Sequence, residues 1–384
     1  MPQLPISDEY FNRSAAIVAD TPLYNARVRY CVFARRGGVV CGANRAVNFI
    51  AEQCLGPLTI RARHDGERFA AKQAVMVIEG LFGELVNLET TYLGMLAFSG
   101  AATEMDAIVE AAAGLPVIDM AARHYPYEII EQTAYAAAVG GAAGTSTRAG
   151  HRYVNTWLSA GQPDRIRIGD GPAREFKLYG SIPHCLNAVF GGSSIDAARA
   201  YAEKFPEVPL TVLIDFEGRE LDVCREAARV FGPRLAAVRL DTHGGRVHQG
   251  GHTEPDRAFV ERVAGRAPDP RAARMALEQY GFGTGVTIEA AYHVRAALDE
   301  AGGKQAKVLV TSGFTAEKVR AFRAAAAPVD GFGTGSWVEF LVFTSDVTHV
   351  LENGAWVERS KAERGDEILV PDELPIRVEH GRVC

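Results

Sequence analysis

Hydrophobic positions change rhythm once along the chain, near Leu115. Before that point two patterns mix. Residues 28–33 alternate as a half-buried strand does, and residues 58–62 and 73–79 read as further short strands. Residues 44–53 have helical spacing, and residues 83–112 are mostly helical with a break near Ser99 and Gly100.

After Leu115, short apolar runs recur, each followed by a polar or glycine-rich turn and then by helical periodicity. The runs cover residues 116–121, 136–139, 177–182, 211–215, 236–240, 307–311 and 328–332. Helices are expected over 194–204, 220–231, 287–302 and 315–326. Near-continuous apolar strands alternating with helices predict a parallel sheet covered on both faces. The fold class is therefore α/β, with seven strands arranged as a β/α barrel.

Two stretches break the rhythm. Residues 149–174 read as polar loop rich in glycine and proline, and residues 243–286 as an insertion of loop with one or two short helices. The tail returns to strands at 340–344, 348–351 and 355–359, with Asn353 and Gly354 as a hairpin turn. The expected domains are 1–113 joined by 340–384, and a barrel over 114–339.

Composition adds limits rather than shape. Apolar residues make up 47% of the 384 positions, enough for a sizeable core. A net charge of −6 gives no basic surplus for nucleic acid or an anionic membrane. No apolar run reaches the length of a membrane span, and the sequence opens without a basic-then-apolar leader, so a cytoplasmic protein is expected. The six cysteines are scattered without a CxxC pair and read as reduced thiols.

Barrel enzymes place their chemistry at the carboxyl ends of the strands. Here those ends carry ARH, GGAAGTS, SIPH, DFEGRE, RLDTH, TSG and GFGTGS. The last offers Gly333, Thr334 and Gly335, whose backbone could approach a phosphate closely. Ser312 and Gly313 end the sixth strand beside it. Arg239 and Asp241 alternate onto one side of the fifth strand, either as ligands for an anion and a cation or sugar, or as an interior ion pair. His184 is open to acid–base, nucleophilic or structural roles. Arg123 and His124 add cationic character, and Thr145 a hydroxyl.

A second GFGTG at 281–285 follows a helix, so it is read as a turn. His243, His248 and His252 share a glycine-rich loop, but spacings of five and four fit no standard metal site. They are read as a surface loop, and no metal-ligating set is assigned. No lysine sits at a strand end, which disfavours Schiff-base aldolase chemistry.

Six segments in order resemble the nicotinate phosphoribosyltransferase family. They are VMVIEGLFGELVNLETTYLG from Val75, RHYP from Arg123, GGAAGTS from Gly140, GSIPH from Gly180, RLDT from Arg239, and DGFGTG from Asp330 with TSD following from Thr344. The resemblance implies the type II phosphoribosyltransferase plan: an incomplete seven-stranded barrel, an N-terminal α/β domain completed by the C-terminal tail, and a homodimer or dimer of dimers. In such a dimer, each N-terminal domain covers its partner's barrel mouth. It also implies transfer of phosphoribose from phosphoribosyl pyrophosphate to nicotinate in NAD biosynthesis, with Mg²⁺ and coupled ATP hydrolysis.

By position, His184 would be the histidine phosphorylated by ATP, and Asp241 would engage ribose or metal. Arg239, Thr242, Arg123 and Thr145 would bind substrate. Tyr24 would stack on the pyridine. Ser312, Gly313, Gly333, Thr334 and Gly335 would hold the 5′-phosphate. Three departures open the base specificity. Phe314 stands where the family has a second glycine after Ser312, Ser181 replaces a threonine, and the insertion after Thr242 is long. Alternatives are quinolinate or another base, or a catalytically silent nucleotide-binding barrel. Quinolinate would call for several convergent cations, and only Arg239, Arg123 and Lys177 are candidates.

Overall fold

The computed structural model describes residues 4–159, 175–362, 367–371, 373–379 and 382–383. Seven parallel strands form a curled half-barrel: Val117–Asp119, Gly144–Thr145, Lys177–Leu178, Leu210–Leu213, Leu235–Leu240, Lys307–Val310 and Gly331–Thr334. In space the order is third, second, first, seventh, sixth, fifth, fourth. Among the described residues, the third and fourth strands are thus the two free edges, and the barrel is open along the seam between them. Val212, Leu213, Val238, Leu240, Val308, Val310 and Phe332 are fully buried, as expected of strands covered on both faces.

One predicted strand is wrong. Residues 136–139 lie inside the helix Ile130–Val139, and the second strand is the pair Gly144–Thr145. Alanine is the best helix former, and residues 134–139 are buried on every side. A short apolar run of that kind looks alike for a buried helix and a buried strand.

Part of the expected loop over 149–174 is also helical. Arg148–Ser159 packs Tyr153 and Trp157 against Tyr135, with ring centroids 6.1 and 5.7 Å apart. Residues 160–174 lie outside the described residues.

The other helices follow their signals. Ser194–Lys204 and Glu220–Phe231 match the expected ranges. Ile288–Glu300 and Ala316–Ala324 begin after Thr287 and Thr315, whose hydroxyls accept the backbone N–H groups of Ala290 and Lys318. The insertion carries two helices, Arg257–Ala264 and Pro270–Tyr280. Gly283 and Gly285 adopt left-handed backbone after them, so the second GFGTG is a turn.

A second, antiparallel sheet joins the two ends of the chain. Its order is Ala355–Glu358, Phe343–Glu352, Arg27–Ala34, Ala74–Leu81, Thr59–Ala62, Ile376–Glu379 and Arg382–Val383. The tail strands expected at 340–344 and 348–351 are one continuous strand from Phe343. Glu352 pairs with Ala355 across Asn353 (φ 50°) and Gly354 (φ 83°), the two left-handed positions of a tight hairpin turn.

Helix Ser99–Ala112 gives Ala101, Ala102, Met105 and Ile108 to the barrel core. A Cβ at Gly100 would stand 2.6 Å from the Glu339 carbonyl oxygen. That glycine lets the chain leaving the barrel cross the start of the helix.

Candidate active site

Two side-chain contacts bridge the open seam. His184 begins the short helix after the third strand, and Asp215 follows the fourth. His184 Nε2 and Asp215 Oδ2 are 3.0 Å apart. Asp215 is buried, while the His184 side chain keeps 40% of its surface. The bond to Asp215 raises the imidazole pKa above 6.5, with burial opposing. Asp215 Oδ1 is buried with no hydrogen-bond partner among the described residues.

The second bridge comes from the fifth strand. Arg239 donates from Nη1 to Ser181 Oγ at 2.8 Å, across the mouth to the loop after the third strand. Its Nη2 stands 3.6 Å from Asp241 Oδ2. Asp241 also accepts the Thr311 hydroxyl at 2.6 Å, from the end of the sixth strand. The alternation expected for Arg239 and Asp241 therefore holds. Burial lowers the Arg239 pKa, and the charge of Arg123 lowers it further. Arg123 is exposed in a single helical turn after the first strand. Two guanidinium groups thus face one mouth, a field that favours an anion between them.

A polar network lies under the first and second strand ends. Asp119 is buried, and its Oδ2 accepts the Thr145 hydroxyl at 2.8 Å. Its Oδ1 accepts the Ala121 N–H at 2.9 Å and the Trp337 indole N–H at 3.1 Å. Burial raises the Asp119 pKa, and these donors oppose the rise. The donor of Thr145 is thereby committed, leaving its oxygen as an acceptor. A small cleft lined by Thr145, Tyr125, Ile129 and Thr133 opens beside it. Thr133 Oγ1 is buried there without a partner among the described residues.

The glycines of the seventh strand end are buried and packed closely against protein side chains. A Cβ at Gly335 would fall 2.2 Å from His124 Cε1, and one at Gly333 would fall 2.7 Å from Thr311 Cγ2. Only glycine admits such close neighbours at these positions. Ser312 (φ 80°) and Gly313 (φ 69°) are both left-handed, and Gly313 is exposed with nothing within 4 Å of an added Cβ. Thr334 is buried and donates its hydroxyl to the Phe314 carbonyl at 2.8 Å, tying the sixth and seventh strand ends together.

Phe314 does not intrude on these loops. It is 1% exposed and packs on Phe322 and Phe332, with ring centroids 5.0 and 5.3 Å away. Phe314→Ala should lower unfolding free energy by about 3–5 kcal/mol, the usual cost of emptying a buried aromatic site. Urea unfolding reads this directly. A change under about 1 kcal/mol would put the ring outside the core.

Two expected contributors sit elsewhere. Thr242 is fully buried and donates its hydroxyl to Glu220 Oε1 at 3.2 Å, behind the mouth. Tyr24 lies in the antiparallel-sheet region, where its ring covers Gly83: a Cβ there would be 2.2 Å from Tyr24 Cδ2. Asp215, Asp119, Ser181, Thr311 and Thr133 were not assigned roles from sequence. Asp215 carried the clearest signal, as the acid ending the fourth apolar run.

Comparisons with known proteins bear on the fold and family. Residues 8–99 match the family profile described as quinolinate phosphoribosyl transferase, N-terminal domain. The crystal structure of nicotinate-nucleotide pyrophosphorylase from Pyrococcus furiosus superposes with a TM-score of 0.68 at 25% identity, covering 93% of this chain and 77% of that one. The chain has the type II phosphoribosyltransferase fold. The likeness to the nicotinate phosphoribosyltransferase family, read from six ordered motifs, stands with it.

Human nicotinic acid phosphoribosyltransferase shares this fold at a TM-score of 0.58 and 15% identity, covering 90% of this chain and 74% of that one. A nicotinate phosphoribosyltransferase of Mycobacterium tuberculosis is 26% identical over 315 residues, or 80% of this chain. The chain spans about half of that relative, 53% of its length. Among the described residues, no helix is long and apolar enough to cross a membrane.

Proposed function

We propose that this type II phosphoribosyltransferase fold transfers phosphoribose from phosphoribosyl pyrophosphate to nicotinate, releasing nicotinate mononucleotide and pyrophosphate in NAD biosynthesis. The observation that carries the reading is the seam itself, where His184–Asp215 and Arg239–Asp241 meet above the parallel strands. In the reaction, the C1–O bond to pyrophosphate breaks, C1 gains oxocarbenium character, and the pyridine nitrogen forms the new bond. The protein's part is to position both substrates and stabilise charge.

Arg239 and Arg123 supply cations for the pyridine carboxylate and substrate phosphates. Ser312, Gly313, Gly333, Thr334 and Gly335 line the place for the 5′-phosphate. Asp241 and the Asp215 oxygen that lacks a partner among the described residues are hard oxygen donors of the kind that suits Mg²⁺. Bound there, the ion would neutralise charge on the departing pyrophosphate. A homodimer would bring the partner's N-terminal region over the mouth, and with it the partner's Tyr24.

ATP coupling rests on His184. When Asp215 accepts the Nε2 proton, the lone pair of Nδ1 is free to take a phosphoryl group. That step needs the neutral ring. Because the Asp215 bond raises the His184 pKa, ATP stimulation should be lost, as pH falls, at a midpoint above 6.5. Asp215→Asn removes the largest cause of the rise, so the midpoint should move to lower pH. A pH profile unmoved by that substitution would detach the limb from His184.

The family profile over residues 8–99 keeps quinolinate as the second reading. Pyrophosphate release with phosphoribosyl pyrophosphate and a panel of nicotinate, quinolinate and nicotinamide separates them. Turnover of nicotinate alone is expected. Turnover of quinolinate with release of CO₂ would select the second reading.

A further inference from the structure

The histidine loop after the fifth strand is not a plain surface loop. His248 is 3% exposed, and its Nε2 stands 3.1 Å from Nδ1 of His293 on helix Ile288–Glu300. Glu289 lies one helical turn before His293, on the same face, and is 1% exposed. One ligand atom from each of His248, Glu289 and His293 falls within 4.8 Å of the others. We propose that these three side chains form a divalent transition-metal site of the zinc type, which clasps the insertion onto the barrel.

Three observations support it. The first is the donor set: two imidazoles and a carboxylate suit Zn²⁺, whereas Mg²⁺ prefers oxygen donors and water. The second is spacing. Ligand nitrogens about 2.0–2.1 Å from a tetrahedral ion lie about 3.3 Å apart, close to the separation here. The third is that, among the described residues, His293 is the one hydrogen-bond partner of the His248 ring, whose Nδ1 is buried without one.

A carboxylate ligand also needs an orienting partner. His252 provides it: Nδ1 is 2.6 Å from Glu289 Oε1, and its backbone N–H donates to Oε2 at 2.9 Å. Solvent would complete the fourth position.

The clasp has a structural consequence at the mouth. The same loop carries Arg246, whose guanidinium bonds Glu220 and donates to the Asp215 carbonyl at 3.2 Å. The Gly285 N–H donates to the Arg246 carbonyl at 2.8 Å. An ion joining His248 to the helix of Glu289 and His293 would hold Arg246, and through it the backbone of His184's partner.

The test is Zn²⁺ titration of the chelator-stripped full chain, followed by calorimetry. His184→Ala and Cys185→Ser are built in, to remove the mouth imidazole and the exposed thiol as competing ligands. One equivalent should bind, with Mg²⁺ failing to compete. Glu289→Gln and His293→Gln should each weaken binding at least about 10-fold, and His252→Ala by a similar factor. His243→Gln should leave the isotherm unchanged. Co²⁺ added to the unsubstituted site should give the intense visible absorption of a four-coordinate centre, a readout that needs no core substitution. Absence of saturable Zn²⁺ binding, an isotherm unchanged in Glu289→Gln and His293→Gln, or a weak octahedral Co²⁺ spectrum would overturn the site.

Discussion

Arg239→Ala should raise the KM for nicotinate about 100-fold while moving that for nicotinamide only a few-fold. Truncating one member of a buried hydrogen-bonded charge pair costs about 2–5 kcal/mol. Arg239 is such a member, with its side chain 14% exposed, one fork nitrogen on Ser181 and the other toward Asp241. The substrate carboxylate is the feature that nicotinamide lacks, so the ratio of the two KM values isolates the contact. Arg239→Lys should recover little, because a point ammonium cannot reproduce the planar fork. Equal losses for both bases would mean that Arg239 supports the mouth without touching the carboxylate.

His184→Ala should abolish ATP stimulation and leave a slow ATP-independent transfer. Removing a preorganised electrostatic group from a reaction site costs on the order of 100-fold in rate. The drop in kcat measured with ATP should be of that size, and the rate without ATP should change little. Asp215→Asn should fall between, because it leaves the ring in place but removes the acceptor that fixes its tautomer. ATP coupling that survives in His184→Ala would move the phosphoryl acceptor elsewhere.

Much of this site was legible from strand ends. The apolar runs ending at Leu240, Val310 and Phe332 are long enough to fix their own register, and they place Asp241, Thr311 and Gly333 at one mouth. The helices expected from 287 and 315 begin one residue later, at Ile288 and Ala316. The second strand was missed because two residues carry no period, while the alanines before it satisfy helix and strand patterns equally.

The partners of the site were harder to read than the site. His184 and Asp215 are 31 positions apart, and His248 and His293 are 45 apart. Neither pair has a local spacing that marks it. The His184 pair becomes visible only once the third and fourth strands are known to be the free edges of the sheet. The reading of His248 as a surface residue failed for a related reason. Its loop is glycine-rich, yet Gly251 lies against the imidazole, where a Cβ would meet Cε1 at 2.3 Å. A glycine that looks like looseness in the sequence is close packing in the fold.

Transfer to nicotinate at this mouth is tested most directly by product stoichiometry in one reaction of nicotinate, phosphoribosyl pyrophosphate, Mg²⁺ and ATP. Nicotinate mononucleotide and pyrophosphate should form in equal amounts, with ADP and phosphate accompanying them and ATP raising the rate. Hydrolysis of phosphoribosyl pyrophosphate without nucleotide formation, or no consumption of nicotinate at any ATP concentration, would contradict it.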